Sequence, residues 1–294
     1  MNILILGGTG YLGNNIIHRL SEDKHNIFCT VHTRSNKQKE IDVDYIGCRL
    51  EDIENLFLHT KIDWVVNAVC VYNSNESLYD DMIDANIVFP LKVLNIAAKY
   101  GVNNYITMGT SLPKYTNMYS LTKHMFFELA YYLSKEKMIN FIELRLEMFY
   151  GGESEPEDRF IPRCIKKLIL NEPLFLTEGT QKRDLIRVED VVEIVALLIR
   201  NNFTSILKIL PVGSGENHSI REIVYYLSNC VRSKSELHFG NVTGRPKEPD
   251  TLSDIRWYSE LKFSTKYSFF EGLSEECNRI ITILKEKDYE SCTN

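Results

Sequence analysis

The segment Gly109–His124, GTSLPKYTNMYSLTKH, concentrates side chains able to manage a proton. Reduction of a ketone by a nicotinamide dinucleotide needs a donor at the carbonyl oxygen while hydride arrives at carbon. A tyrosine can serve if its pKa, near 10, is brought toward neutrality, and a lysine ammonium one helical turn away does that electrostatically. Tyr119 has Lys123 at i+4, in YSLTK. Tyr115 has Tyr119 at that offset, no cation, and precedes the expected helix start near Met118. Spacing therefore selects Tyr119. A hydroxyl at the end of the preceding strand can hold the carbonyl, and the Thr110-Ser111 pair lies there.

The second constellation is ILILGGTGYLGNNI near the start of the chain. It reads as Gly8-x-Gly10-x-x-Gly13 or Gly7-x-x-Gly10-x-x-Gly13, with shared glycines. It follows an apolar strand and opens a helix, the context in which such a turn lets backbone approach a pyrophosphate at the helix N-terminus. Gly7, Gly10, Tyr11, Leu12 and Gly13 are the expected cofactor-binding residues. The end of the second strand chooses the dinucleotide, because an acid there binds a ribose 2'-hydroxyl and an arginine a 2'-phosphate. The sequence is VHTRSNKQK, with His32 where the acid would stand and Arg34, Lys37 and Lys39 following. Arg34 can contact a phosphate bidentately, so the expected cofactor is NADPH. A solvated basic loop is the ordinary alternative.

These motifs need a scaffold. The chain has 294 residues, 44% hydrophobic and 25% charged, with a net charge of -6. That is enough to bury a large core, and the acidic balance offers no support for nucleic acid as a partner. No apolar run approaches a membrane span, and MNILILGG lacks the basic region of a secretory signal. Cys29, Cys48, Cys70, Cys164, Cys230, Cys277 and Cys292 are scattered without a CxxC pair, as expected of reduced thiols in a cytoplasmic protein. No histidine spacing marks a metal centre.

Short β-rich runs alternate with amphipathic stretches over the first two-thirds, implying a parallel sheet covered by helices. Six strands are expected, the last running through NFIELRLEMFYGG, with one long helix over ESLYDDMIDANIVFPLKVLNIAAKYG. From Gly151 the composition turns rich in Gly, Pro and Glu. The expected architecture is a Rossmann-type, doubly wound α/β sheet with a smaller, discontinuous mixed α/β lobe. Residues 1–148 and 181–210 would bind the dinucleotide, and residues 149–180 and 211–294 the substrate.

GGTGYLG, Asn67-Ala68, Asn86, Tyr119/Lys123, RLEMFYGG and KRDLIRVEDV occur in the order in which the chain resembles the extended short-chain dehydrogenase/reductase superfamily. Within it, ELRLEMFYGGESEPEDRFIPRCI and LPVGSGENHSIREI look most like the CDP-abequose and CDP-paratose synthases. The resemblance implies NADPH-dependent reduction of a nucleotide-linked 4-keto-deoxyhexose, CDP- or dTDP-linked, in deoxysugar biosynthesis for surface polysaccharide. A nucleotide-sugar epimerase without net redox change is the alternative. It implies Thr110 as the active-site hydroxyl, with Ser111 beside it, and Asn67, Ala68, Val69 and Asn86 around the cofactor. Arg183 would reach the substrate pyrophosphate or, in the plainer reading, pair with Asp184. A homodimer through the helices after the fourth and fifth strands is also implied, with the sugar in the cleft between lobes.

Several positions depart from the family pattern. Arg49 stands where relatives carry an adenine-contacting Asp. The segment from Thr110 to Tyr119 is short, so substrate contacts would come from Lys114 or from around Arg159 and Phe160. Glu147 either faces substrate or is hydrogen-bonded or paired with Arg145. Thr110 is followed by Ser111-Leu112-Pro113-Lys114, without the Asp-Glu pair that dehydration requires. Titration of the protein with each dinucleotide should show tighter binding of NADP than NAD; a tenfold preference for NAD would refute the reading of Arg34.

Overall fold

The computed structural model describes residues 1–31, 43–72, 79–203, 207–242 and 249–293, with side chains to residue 286. It divides into two units: residues 1–146, 191–212 and 256–263, and residues 147–190, 213–255 and 264–294.

Among the described residues, the first unit holds seven strands: β1 (Asn2–Leu6), β2 (Asn26–Val31), β3 (Asp44–Gly47), β4 (Trp64–Asn67), β5 (Asn104–Thr110), β6 (Asn140–Leu146) and, later in the chain, β10 (Lys208–Val212). They pair in the order β10-β6-β5-β4-β1-β2-β3, all parallel. The central strands WVVN and NYITMGT are buried throughout, as strands covered on both faces must be. Helices α2 (Leu50–His59), α4 (Phe89–Lys99) and α5 (Met118–Lys137) pack a common core with Leu4, Val65, Tyr105 and Phe141. The strand order reverses between β1 and β4. With right-handed crossovers, helix α1 (Tyr11–Glu22) then lies on the opposite face. Arg200 of α7 (Val188–Arg200) pairs with Asp23 at 2.9 Å, and Arg19 of α1 pairs with Glu193 of α7. The fold is the Rossmann-type sheet expected.

The long helix expected before Gly101 is interrupted. It comprises α3 (Tyr79–Ile83), a π-helical turn over Asp84–Val88, and α4. Pro90 supplies the reason: its ring opposes the carbonyl four residues back and brings no N–H. Phe89 N–H instead reaches Asp84 O, one residue farther than in an α-helix.

The second unit begins where the expected sixth strand breaks. Ser111 N–H donates to Leu146 O at 3.0 Å, closing β6, and β7 (Met148–Tyr150) belongs to another sheet. That three-stranded sheet runs β11 (Asn217–Ser219), β9 (Lys182–Arg187), β7. Residues 182–190 therefore group with the second unit and not with the large sheet, unlike the division expected from sequence. A two-stranded sheet pairs β8 (Leu174–Leu176) with β12 (Leu237–Phe239). Helices α6 (Phe160–Ile169), α8 (Ile220–Cys230) and α9 (Phe269–Thr293) share the core of this unit through Ile165, Val224 and Leu273. No helix among the described residues is long and apolar enough to cross a membrane.

At Gly13, helix α1 packs directly on the backbone of the glycine turn. A Cβ there would lie 2.7 Å from Gly8 Cα and overlap the Gly7 carbonyl. Gly13→Ala should cost about 1–3 kcal/mol, since backbone on backbone has no side chain to give way. Thermal unfolding should show a Tm several degrees lower; an unchanged Tm would mean α1 shifts freely.

Candidate functional site

The glycine turn is built by β1 and α1. Gly7 has φ of 76°, a left-handed conformation that favours glycine. Its N–H donates to Thr30 Oγ1 and its carbonyl accepts from Gly10 N–H, both at 3.0 Å. Helix α1 starts at Gly10 without a side-chain cap and without an acid in its first turn. Tyr11 is half-buried and Leu12 buried. A helix start left uncapped at a tight glycine turn fits the diphosphate of a dinucleotide, since both N–H groups and dipole favour an anion.

Strand β4 delivers the other wall. Ala68 N–H donates to Leu6 O at 3.0 Å, and Gly7 lies so close to Val69 that a Cβ would be 3.1 Å from its Cα. Asn67 accepts from Val69 N–H at 3.2 Å and donates to Thr107 Oγ1 at 3.1 Å. Asn86, in the π turn, grips Val71 twice: it accepts from Val71 N–H at 2.9 Å and donates to Val71 O at 3.0 Å. Its amide also donates to Thr122 Oγ1 of α5 at 3.1 Å.

Arg34, with His32, Lys37 and Lys39, lies outside the described residues. Arg49 precedes α2, is 75% exposed, and donates twice to Asp52 at 2.9 Å. The sequence reading missed Asp52: an acid one helical turn into α2 is turned back beside Gly47, at the end of β3. The i+3 spacing of Arg49 and Asp52 was its available signal.

Thr110 ends β5, 5% exposed, and its hydroxyl accepts from Leu112 N–H at 3.2 Å. The chain turns through Pro113–Thr116 and enters α5 through a capping box, in which Asn117 accepts from Ser120 N–H at 2.8 Å and Ser120 Oγ accepts from Asn117 N–H at 3.1 Å. That box sets the first turn and puts Tyr119 and Lys123 on one face. Lys123 is 4% exposed, and its ammonium donates to Val69 O at 3.1 Å. Tyr119 is half-buried, its ring set edge-on against Tyr72. Tyr115 is 82% exposed beside Lys114, which pairs with Glu128.

A buried acid absent from the sequence reading lies beneath this face. Glu143 of β6 is 2% exposed, paired with Arg145 at 2.9 Å, and a Cβ on Gly109 would come within 2.5 Å of its carboxylate. Burial raises its pKa, opposed by Arg145 and by the nearby His124 and Lys123 charges. Alternation within NFIELRL, which gives Glu143 the same parity as Phe141 and Arg145, did not separate a buried acid from an exposed one.

In the second unit, Glu147 is 5% exposed and accepts from Ser253 Oγ at 3.3 Å. The structure thus pairs Arg145 with Glu143 and not with the Glu147 that the sequence offered. Arg183 is 7% exposed and donates to Lys182 O and Pro249 O at 2.9 and 2.7 Å. The wholly buried Asp184 accepts from Ser214 N–H and Oγ, Gly215 N–H and Ser253 N–H. Phe160 opens α6 and packs on the unit's core, while Arg159 donates to Phe149 O at 2.6 Å and pairs with Glu155 at 3.2 Å. Among the described residues no group of His, Cys, Asp and Glu is arranged to hold a metal.

Residues 3–209 match the NAD dependent epimerase/dehydratase family. The CDP-abequose synthases of Salmonella typhimurium and Salmonella muenchen are 26% and 24% identical to this chain. The matches cover 95% and 93% of it and 98% and 96% of the synthases. The UDP-glucuronic acid 4-epimerase from Bacillus cereus, solved in complex with UDP-glucuronic acid and NAD, superposes with a TM-score of 0.84. Its identity is 21%, covering 96% of this chain and 100% of the epimerase. At that identity the likeness is one of fold.

Glu155 anchors the turn before Arg159, accepting from Gly151 N–H at 2.6 Å. Burial pushes its carboxyl up to about 7, against the lowering effect of Gly151 N–H and Arg159. Between the ordinary carboxylate pKa and about 7, the unfolded chain has released this proton while the folded chain keeps it, so stability falls as pH rises across that window. Glu155→Gln removes the effect. The Tm of the variant minus that of the natural protein should rise by roughly 3 °C from pH 5 to pH 7.5; a constant difference would contradict it.

Proposed function

The chain belongs to the NAD dependent epimerase/dehydratase family, and from that premise we propose that it is an NADPH-dependent reductase of a nucleotide-linked 4-keto-deoxyhexose. The observation that carries the reading is the Tyr119–Lys123 pair at the start of α5, one strand-end away from Thr110, with Lys123 anchored on Val69 O. The near full-length likeness to proteins named CDP-abequose synthase supports reduction of a deoxysugar ketone. The absence of a carboxylate from Ser111 to Lys114 argues against dehydration.

When bound, the nicotinamide supplies hydride to the carbonyl carbon. Thr110 donates a hydrogen bond that orients the carbonyl oxygen. Tyr119 transfers its phenolic proton to that oxygen as the C=O double bond becomes a C–O single bond. The Lys123 ammonium stabilises the tyrosinate left behind and holds the cofactor ribose. Val69 O fixes that ammonium, and the turn at Gly7–Gly13 receives the diphosphate. Arg183 is proposed to meet the substrate pyrophosphate, with Ser111, Glu147 and Phe160 as further substrate contacts. Arg34 is proposed to select the 2'-phosphate.

An epimerase on the same scaffold would use the same pair but consume no cofactor. The protein should oxidise NADPH steadily with one member of a panel of CDP-, dTDP- and GDP-linked 4-keto sugars, yielding the 4-hydroxy product. Tyr119→Phe should lose all but about a thousandth of this turnover while keeping NADP affinity. Turnover within tenfold of the natural protein would mean the proton comes from another group, and product formation without NADPH loss would favour the epimerase.

A further inference from the structure

Tyr119 is the second residue of α5, one residue after Met118. Helical side chains lean toward the N-terminus and lie over the preceding turn, and at this position there is no preceding turn. A half-buried tyrosine there has more than one staggered χ1 rotamer open to it unless something outside the helix walls it in. A proton donor, however, must be held within hydrogen-bond reach of one oxygen.

The wall is Tyr72. Its ring meets that of Tyr119 at a centroid distance of 4.9 Å with planes 80° apart, the edge-to-face arrangement that aromatic quadrupoles favour. Tyr72 itself remains 62% exposed, so it buries too little to serve the core. Its backbone is nevertheless fixed. The preceding residue, Val71, has both polar groups bound by Asn86, and three residues earlier Val69 O receives the Lys123 ammonium. The segment from Val69 to Tyr72 thus touches α5 at two side chains one helical turn apart, Lys123 and Tyr119.

We propose that Tyr72 is a positioning residue that holds the Tyr119 ring in its proton-donating orientation by edge-to-face contact. The inference rests on Tyr119 being the donor. It assigns the role to the Tyr72 ring and not to its hydroxyl, because the contact is made ring to ring. It also makes the Asn86 clamp on Val71 part of the same device, since that clamp holds the backbone from which the Tyr72 ring projects.

Two measurements test this. NMR of the full chain with ring-labelled tyrosine, Tyr119 assigned by the signal lost in Tyr119→Phe, should show a ring-current shift that Tyr72→Ala abolishes and Tyr72→Phe keeps. Absence of that shift in the natural protein would overturn the proposal without any substrate. Kinetically, with the 4-keto sugar that is turned over, Tyr72→Ala should lower kcat about tenfold and enlarge the solvent deuterium isotope effect, as expected when a reacting group is misplaced by a fraction of an ångström. NADP affinity should stay unchanged, and Tyr72→Phe should remain within about twofold of the natural rate. The proposal is overturned if Tyr72→Ala keeps the natural kcat and isotope effect, or if Tyr72→Phe is as impaired as Tyr72→Ala. Failure of the donor assignment is distinct, being an active Tyr119→Phe.

Discussion

The hydrogen bond from the Lys123 ammonium to the carbonyl of Val69 is the contact on which the rest of the first unit's site depends. A charge that is 4% exposed needs a partner, because an ammonium taken out of water without one carries a large desolvation cost. Bonds of this charge-assisted kind contribute about 1.5–3 kcal/mol. Val69 is also the residue against which the glycine turn packs, and Asn67 accepts from its N–H. One short segment after β4 therefore supports both the glycine turn and the base of α5. Moving it would move both.

That segment has no regular secondary structure, so its shape is set by side chains. Asn86 supplies the main clamp, and it reaches Val71 from a π-helical turn made beside Pro90. The irregularity that breaks the helix is thus also what presents an amide to the loop, in keeping with the tendency of π turns to occur at functional sites. The same amide reaches Thr122 on α5, so loop, turn and helix meet at one side chain. Beneath them the Glu143–Arg145 pair places a buried acid under Gly109, near Lys123, and adds to the field around the helix start.

Much of this was legible in the sequence. Short apolar β-rich runs alternating with amphipathic stretches, together with the glycine turn, imply the parallel sheet, and the i+4 offset of Lys123 from Tyr119 places both on one helix face before any fold is known. Other features were not. Glu143 and Arg145 read as an ordinary alternating strand. The pairing of Arg49 with Asp52 at the start of α2 was not singled out in the sequence. Arg183 and Asp184 suggested a pair, while Asp184 accepts from backbone and hydroxyl donors more than twenty residues away in sequence. RLEMFYGG suggested one strand, but Leu146 is closed off by Ser111 and the chain leaves the sheet at Glu147.

The sequence by itself determined the fold class, the position of the glycine turn and that Tyr119, unlike Tyr115, stands one helical turn from Lys123. These follow from local periodicity, steric demands at glycine and the pitch of a helix. Only the tertiary structure decided which carbonyl holds Lys123, which amide fixes Val71, where the sixth strand stops and that Tyr72 leans on Tyr119. Each of those joins residues from 15 to 54 positions apart, or closes a strand against a distant backbone N–H. Such pairings are set by how helices pack on the sheet, and no single window of sequence contains both partners.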